Sequence, residues 1–164
     1  MLGLQALSWV QNMNDTLIPE DYPPWYKDGL HFQCTGCGKC CSGGPGYVWV
    51  TSKEIAAIAG FLNMSVDLFV RRYIRQKENR YALIERKMQN FDCVFLQDKK
   101  CLIYPVRPVQ CKTFPWWKEQ LRSKESWELA ARYCEGIKPQ APLVSYEQIQ
   151  KCLEIASTQS QEKS

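Results

Sequence analysis

Histidine is almost missing from this chain: His31 stands alone among 164 residues. Zinc sites built on two histidines are thereby excluded, and a Cys–His catalytic pair would have to run through His31. Long apolar runs are missing too, and none nears the roughly 20 residues that a membrane-spanning helix needs. The opening Met1-Leu2-Gly3-Leu4-Gln5-Ala6-Leu7 has no positively charged n-region, and Gln5, Ser8 and Gln11 interrupt its apolar residues. No secretory signal is therefore expected. Without a route to an oxidising compartment, a disulfide scaffold loses ground, and a reduced, cytoplasmic protein is the expectation. Surplus charge is small as well, at +4. Thiolate-filled metal sites of about −2 each would remove it. Nucleic acid is a disfavoured partner on that count, and no membrane partner is expected.

Cysteine is what the chain has in excess, with nine residues. Four of them, Cys34, Cys37, Cys40 and Cys41, fall within Cys34-Thr35-Gly36-Cys37-Gly38-Lys39-Cys40-Cys41, and Cys93, Cys101, Cys111, Cys134 and Cys152 follow. Thiolates this dense in a Gly-containing turn converge on a metal ion or cluster. Eight of the nine divide into two sets of four, the number required by tetrahedral zinc or by an iron–sulfur cluster. Adjacent side chains diverge in extended backbone, so Cys40 and Cys41 are expected to be split between two sites, or between one site and a free thiol. Cys152 lies on an apolar helical face and reads as a core residue. His31, beside Phe32, reads as structural. Lys39, Arg107 and Lys112 adjoin candidate ligands and are suited to offset thiolate charge. Trp116, Trp117 and Trp127 read as packing around the site.

The fold expected is α+β, one small loop-rich domain of short strands and several helices, stabilised by its metal. Residues 1–28 form a lead-in with a short helix near Leu2–Val10, 29–156 the cysteine-cluster domain, and 157–164 a flexible polar tail. Tyr47–Val50 reads as a strand. Thr51 and Glu54 have capping-box spacing before the stripe Ile55, Ile58, Ala59 and Leu62. Ser65 caps a second helix with the stripe Val66, Phe69, Val70, Tyr73 and Ile74. Arg71, Arg72, Arg75 and Lys77 read as its solvated face. Tyr81–Lys87 suggests a strand, and Cys93–Leu96 with Lys100–Tyr104 a hairpin about Gln97-Asp98-Lys99. Pro105, Pro108 and Pro115 predict irregular backbone. A helix over Lys124–Cys134 is expected to close at Gly136, and Ser145 with Gln148 suggests a last capping box.

Phe32-x-Cys34-x-x-Cys37-Gly38-x-Cys40-Cys41-x-Gly43 resembles the signature of the CxxCxxCC, or YkgJ-type, cysteine-cluster proteins, a family described as zinc- or iron-chelating. A second block agrees: Asp92-Cys93-Val94-Phe95-Leu96, Cys101-Leu102-Ile103-Tyr104, Arg107-Pro108-x-x-Cys111 and Phe114-Pro115. The resemblance runs from about Gly29 to Gly136. It implies that Cys34, Cys37, Cys40, Cys41, Cys93, Cys101, Cys111 and Cys134 are the metal ligands, with Cys152 outside the pattern. The metal is zinc or an iron–sulfur cluster, in one or two sites, since both accept four thiolates. Electron transfer and metal handling are the roles this suggests. A zinc-stapled module for a protein partner is an alternative. So is a component of a protein-modifying system, because the family includes the cysteine-rich part of a flagellin lysine N-methylase. No strand–Gly-rich loop–helix segment suited to a methyl-donor nucleotide is visible, and no catalytic residue is assigned.

Overall fold

The computed structural model describes residues 23–161, and the side chains through residue 158. The expected helix near Leu2–Val10 lies outside the described residues. In chain order the elements are β1 (Leu30–His31), β2 (Val48–Val50), α1 (Ser52–Phe61), α2 (Val66–Tyr73), β3 (Ile74–Lys77) and β4 (Arg80–Leu83). There follow β5 (Glu85–Arg86), β6 (Asp92–Cys93), β7 (Leu96–Gln97), β8 (Lys100–Cys101) and α3 (Val109–Thr113). The chain finishes with α4 (Lys118–Leu121), α5 (Lys124–Tyr133), β9 (Leu143–Val144) and α6 (Tyr146–Gln161). Helices and short antiparallel strands are thus mixed in one small domain, as α+β patterning predicts. The strands form a three-stranded sheet in the order β2-β4-β3, and three two-stranded ribbons, β1-β9, β5-β6 and β7-β8.

The helix caps follow the local chemistry. Thr51 Oγ1 accepts from Glu54 N while Glu54 Oε2 accepts from Thr51 N, so both halves of the capping box are made. Ser65 Oγ accepts from Leu68 N, and Ser145 and Gln148 exchange two bonds ahead of α6. The boundary after Tyr73 differs from the stripe. Ile74 leaves the helix and opens β3, where Ile74 faces Leu83 and Arg75 faces Ala82 on β4. Arg75 and Lys77 are therefore strand residues, and the solvated helix face keeps only Arg71 and Arg72. A β-branched residue continues the apolar spacing of a helix and also suits a strand, and cross-strand pairing decided it.

The hairpin is shorter than its sequence pattern. Leu96 pairs with Cys101 and Gln97 with Lys100, and Asp98 and Lys99 turn the chain with φ of 48° and 62°. These are the positive values that a two-residue hairpin loop demands. The proline-punctuated stretch also holds two short helices, α3 and α4. Gly136 does not close α5 in a left-handed conformation. The cap is Cys134 in extended backbone, and Gly136 instead lies against Gln33, whose N–H donates to the Gly136 carbonyl at 3.0 Å. The polar tail continues α6 past Ser157 to Gln161.

Two apolar clusters result. The first gathers Val50, Ile55, Ile58, Ala59, Phe69, Leu83, Phe95 and Ile103 from the main sheet, α1, α2 and the hairpin region. The second gathers Tyr26, Trp116, Leu121, Trp127 and Ile149. Burying Phe69 or Ile149, each with 0% of its surface exposed, is worth about 2–3 kcal/mol apiece. Trp116 and Trp127 stack at 5.3 Å inside the second cluster, in keeping with a packing role.

Candidate metal centre

Five separate pieces of scaffold deliver cysteines to one place. The turn from Cys34 to Cys41 brings four, β6 brings Cys93, β8 brings Cys101, α3 brings Cys111, and the end of α5 brings Cys134. Cys34, Cys37, Cys40, Cys41, Cys93, Cys101, Cys111 and Cys134 all line a single cavity of about 150 Å³. Leu83 and Ile103 of the first cluster form part of its wall, as does Phe32, which packs on the second. Cys152 is not in that wall; it packs against the second cluster. His31 is not in it either. Its Nδ1–H donates to the Ala141 carbonyl at 2.6 Å, tying β1 to the chain before β9.

Local backbone explains the turn. Gly36 and Gly38 hold φ of 70° and 71°, a left-handed conformation that glycine adopts without steric cost. Lys39–Cys41 then forms a 3₁₀ turn rather than extended chain. Cys40 and Cys41 consequently stand within hydrogen-bond reach of each other, where extended backbone would have set them apart. That contact draws the Cys40 thiol down to about 7 and drives its neighbour Cys41 upward.

Electrostatics in the cavity set these thiols against one another. Burial pushes Cys93, Cys101, Cys111 and Cys134 up, although nearby backbone amides lower Cys93, Cys101 and Cys134 in part. Mutual repulsion adds to the rise, since Cys40 faces Cys93, Cys101 and Cys111. Arg107 is the cation that opposes it at Cys34, Cys40, Cys101 and Cys111. Its guanidinium lies 3.9 Å over the Tyr104 ring, and the Tyr104 hydroxyl donates to Cys34 Sγ at 3.6 Å. Burial raises Cys34, but the bonds from Tyr104, the Gly36 amide and Arg107 outweigh it, and the net shift is downward. Lys39 also lines the cavity and pairs with Glu135 at 2.6 Å, which bridges the turn to the residue after Cys134. Lys112 completes the cationic part of the wall.

Among the described residues, no three cysteine, histidine or carboxylate side chains stand at the spacing of a closed ligand shell. The thiols ring the cavity without meeting at a point. The donor set nonetheless suits zinc or iron–sulfur chemistry: soft sulfur, no competing carboxylate in the cavity wall, and thiolates that repel until a cation is placed among them. Tyr104, Phe114 and Tyr133 also line the cavity and had no assigned place in the site. Tyr104 had a sequence signal, lying three residues after Cys101 and three before Arg107.

Comparison with known proteins gives the same reading. The chain is 36% identical over 119 residues to an uncharacterised protein of Methanocaldococcus jannaschii, an alignment covering 68% of this chain and 61% of that relative. No solved structure matches the chain. No helix among the described residues is long and apolar enough to cross a membrane. A family model described as "Putative zinc- or iron-chelating domain" matches residues 33–135, and the chain belongs to that family, CxxCxxCC.

Proposed function

We propose that this protein is a thiolate metal-binding protein whose ligands are Cys34, Cys37, Cys40, Cys41, Cys93, Cys101, Cys111 and Cys134. The observation that carries the reading is their common cavity, which gathers residues from the turn at 34 and the helix end at 134 and leaves out Cys152. Eight thiols exceed what one tetrahedral ion takes up, so they suit two zinc ions or an iron–sulfur cluster with spare ligands. Bound zinc would supply a redox-silent cross-link; an iron–sulfur cluster would supply a one-electron store. The chain's own residues do the rest. Arg107 and Lys39 offset thiolate charge, the Tyr104 hydroxyl holds Cys34, and Leu83 and Ile103 keep one wall dry. Cys34 and Cys40 are exposed and give the centre an accessible side, which suits metal handling or electron exchange with a partner.

Anaerobic purification followed by visible absorption, iron, sulfide and zinc analysis on one sample tests the proposal. Stoichiometric metal, lost together with thiol protection on denaturation, is the expected result. Full-length folded protein with no metal and eight freely titrating cavity thiols overturns it. A second reading, a metal-stapled module for a protein partner, is favoured by Tyr133, which lines the cavity yet is 73% exposed. Tight, colourless zinc would favour it over electron transfer.

A further inference from the structure

A larger cavity, about 570 Å³, also borders α3. Gln110 lines it, while the next residue, Cys111, lines the thiol cavity. Its volume falls in the range of about 300–1,000 Å³ typical of small-molecule sites. Three kinds of chemistry meet in its wall.

The first is a held cation. Trp49 and Arg75 both lie opposite Ala82 across the sheet, and Arg80 is two residues from Ala82, so all share the face turned away from Val50 and the core. There Tyr47 stacks on Trp49 at 4.7 Å, and the Arg80 guanidinium lies 4.0 Å over the Trp49 ring. Arg75 is paired with Glu85, but neither Arg80 nor Lys118 has a carboxylate partner among the described residues. With Glu119 also present, the wall keeps a positive excess. A stacked guanidinium is a preset fork for an oxyanion.

The second is a fixed aromatic plane. Trp117 is held by Nε1–H donation to Thr113 Oγ1 at 3.2 Å and by edge contact with Phe114 at 5.2 Å. Leu153 and Ala156 of α6 supply apolar surface beside it. The third is an unmet acceptor. Gln110 spends its amide on Trp49 N and the Tyr47 carbonyl, whereas Gln120 Oε1 is buried with no donor among the described residues. Gln120 lines the cavity, and rotation about its terminal side-chain bond, which is soft, would present that oxygen to a ligand amino group there.

We infer that this cavity binds a nucleotide-type ligand: a phosphate on Arg80 and Lys118, a planar ring against Trp117, and a ring amino group donating to Gln120. Isothermal titration of the full chain, as purified, with AMP, adenosine, ribose 5-phosphate and UMP tests it. AMP is expected to bind saturably, with adenosine, ribose 5-phosphate and amino-lacking UMP each weaker by about tenfold or more. Arg80→Gln and Lys118→Gln should each weaken AMP severalfold and leave adenosine unchanged; Lys118 is exposed, so its variant keeps the fold. Oligoadenylate bound with the same Arg80 dependence would assign the same chemistry to a strand. Absence of saturable AMP binding at millimolar concentration, equal affinity for AMP and ribose 5-phosphate, or AMP affinity unmoved by both substitutions overturns the inference. The titrated sample is first assayed for metal and for cooperative folding, so failure of a folded, metallated chain to bind AMP counts against this inference alone and leaves the metal proposal standing.

Discussion

Gly36 and Gly38 share a backbone conformation and differ in their surroundings. A Cβ on Gly36 would meet nothing within 4 Å, whereas one on Gly38 would sit 2.7 Å from the Lys99 carbonyl oxygen and 2.7 Å from Leu96 Cδ1. Gly36→Ala should therefore cost only the left-handed strain, about 1 kcal/mol. Gly38→Ala adds a collision with hairpin backbone that cannot rotate away, for about 2–4 kcal/mol in all. Denaturant melts of the two variants measure the difference, and equal losses would show that the turn does not rest on the hairpin. The cysteines divide in a similar way. Cys152→Ser places a hydroxyl against the second cluster and should lower stability by about 1 kcal/mol with metal content unchanged. Serine at Cys93 or Cys111 should lower bound metal per chain, read by elemental analysis. Metal loss in Cys152→Ser as large as in those two would contradict the assigned ligand set.

Helix α1 shows how one carboxylate can serve two elements. Glu54 Oε2 closes the capping box, and Glu54 Oε1 accepts from Val109 N at 2.7 Å, the first residue of α3, which carries Cys111. Thr51→Ala removes a cap and should cost about 1 kcal/mol. Glu54→Ala also strands the Val109 amide, so about 2–3 kcal/mol is expected, with faster metal loss to a chelator than in Thr51→Ala. Indistinguishable chelator kinetics in the two variants would show that the link to α3 carries no load. The cap itself was legible in the sequence because its partners lie three residues apart. The link to Val109 was not, because its partners lie 55 positions apart. The same divide runs through the rest of the chain. The caps at Ser65 and Ser145 could be read from spacing, and the set of eight thiols from the resemblance of two ordered blocks to the cysteine-cluster family, whereas the strand at Ile74 depended on pairing with β4. Gly136 had a left-handed cap expected of it, but its position is set by Gln33, a neighbour that only the folded chain brings near. Trp49, Arg80 and Trp117 belong to no local pattern at all, and only the fold places them around one cavity.

At the scale of the molecule, the thiol cavity lies where two apolar clusters meet. Cys93 and Cys101 pack against the first, while Phe32, which precedes the cysteine turn, packs edge-on against Trp116 of the second at 5.4 Å. Among the described residues, the polar ties from the turn and its flanks to the rest include Gln33 to Gly136, Lys39 to Glu135, Tyr104 and Arg107 to Cys34, and Asn90 to Ser42 and Gly43. The Lys39–Glu135 pair is exposed and screened by water, so it contributes little. Thiolates from both sides closing on a metal would supply the connection that side-chain packing lacks. Structural zinc contributes about 10–16 kcal/mol in small domains, comparable to the about 5–15 kcal/mol of net stability in a whole domain. Removing the metal with a chelator under reducing conditions should therefore unfold the region from Cys34 to Cys134, seen as lost amide-exchange protection there and a lowered or absent calorimetric transition. Protection should fall first in the turn, which holds the exposed proposed ligands Cys34 and Cys40, and last in α1 and the β2-β4-β3 sheet, elements that carry no cysteine of their own. A metal-free protein that melts cooperatively at an unchanged midpoint would show that the two clusters hold together unaided, and that the metal, where present, serves chemistry alone.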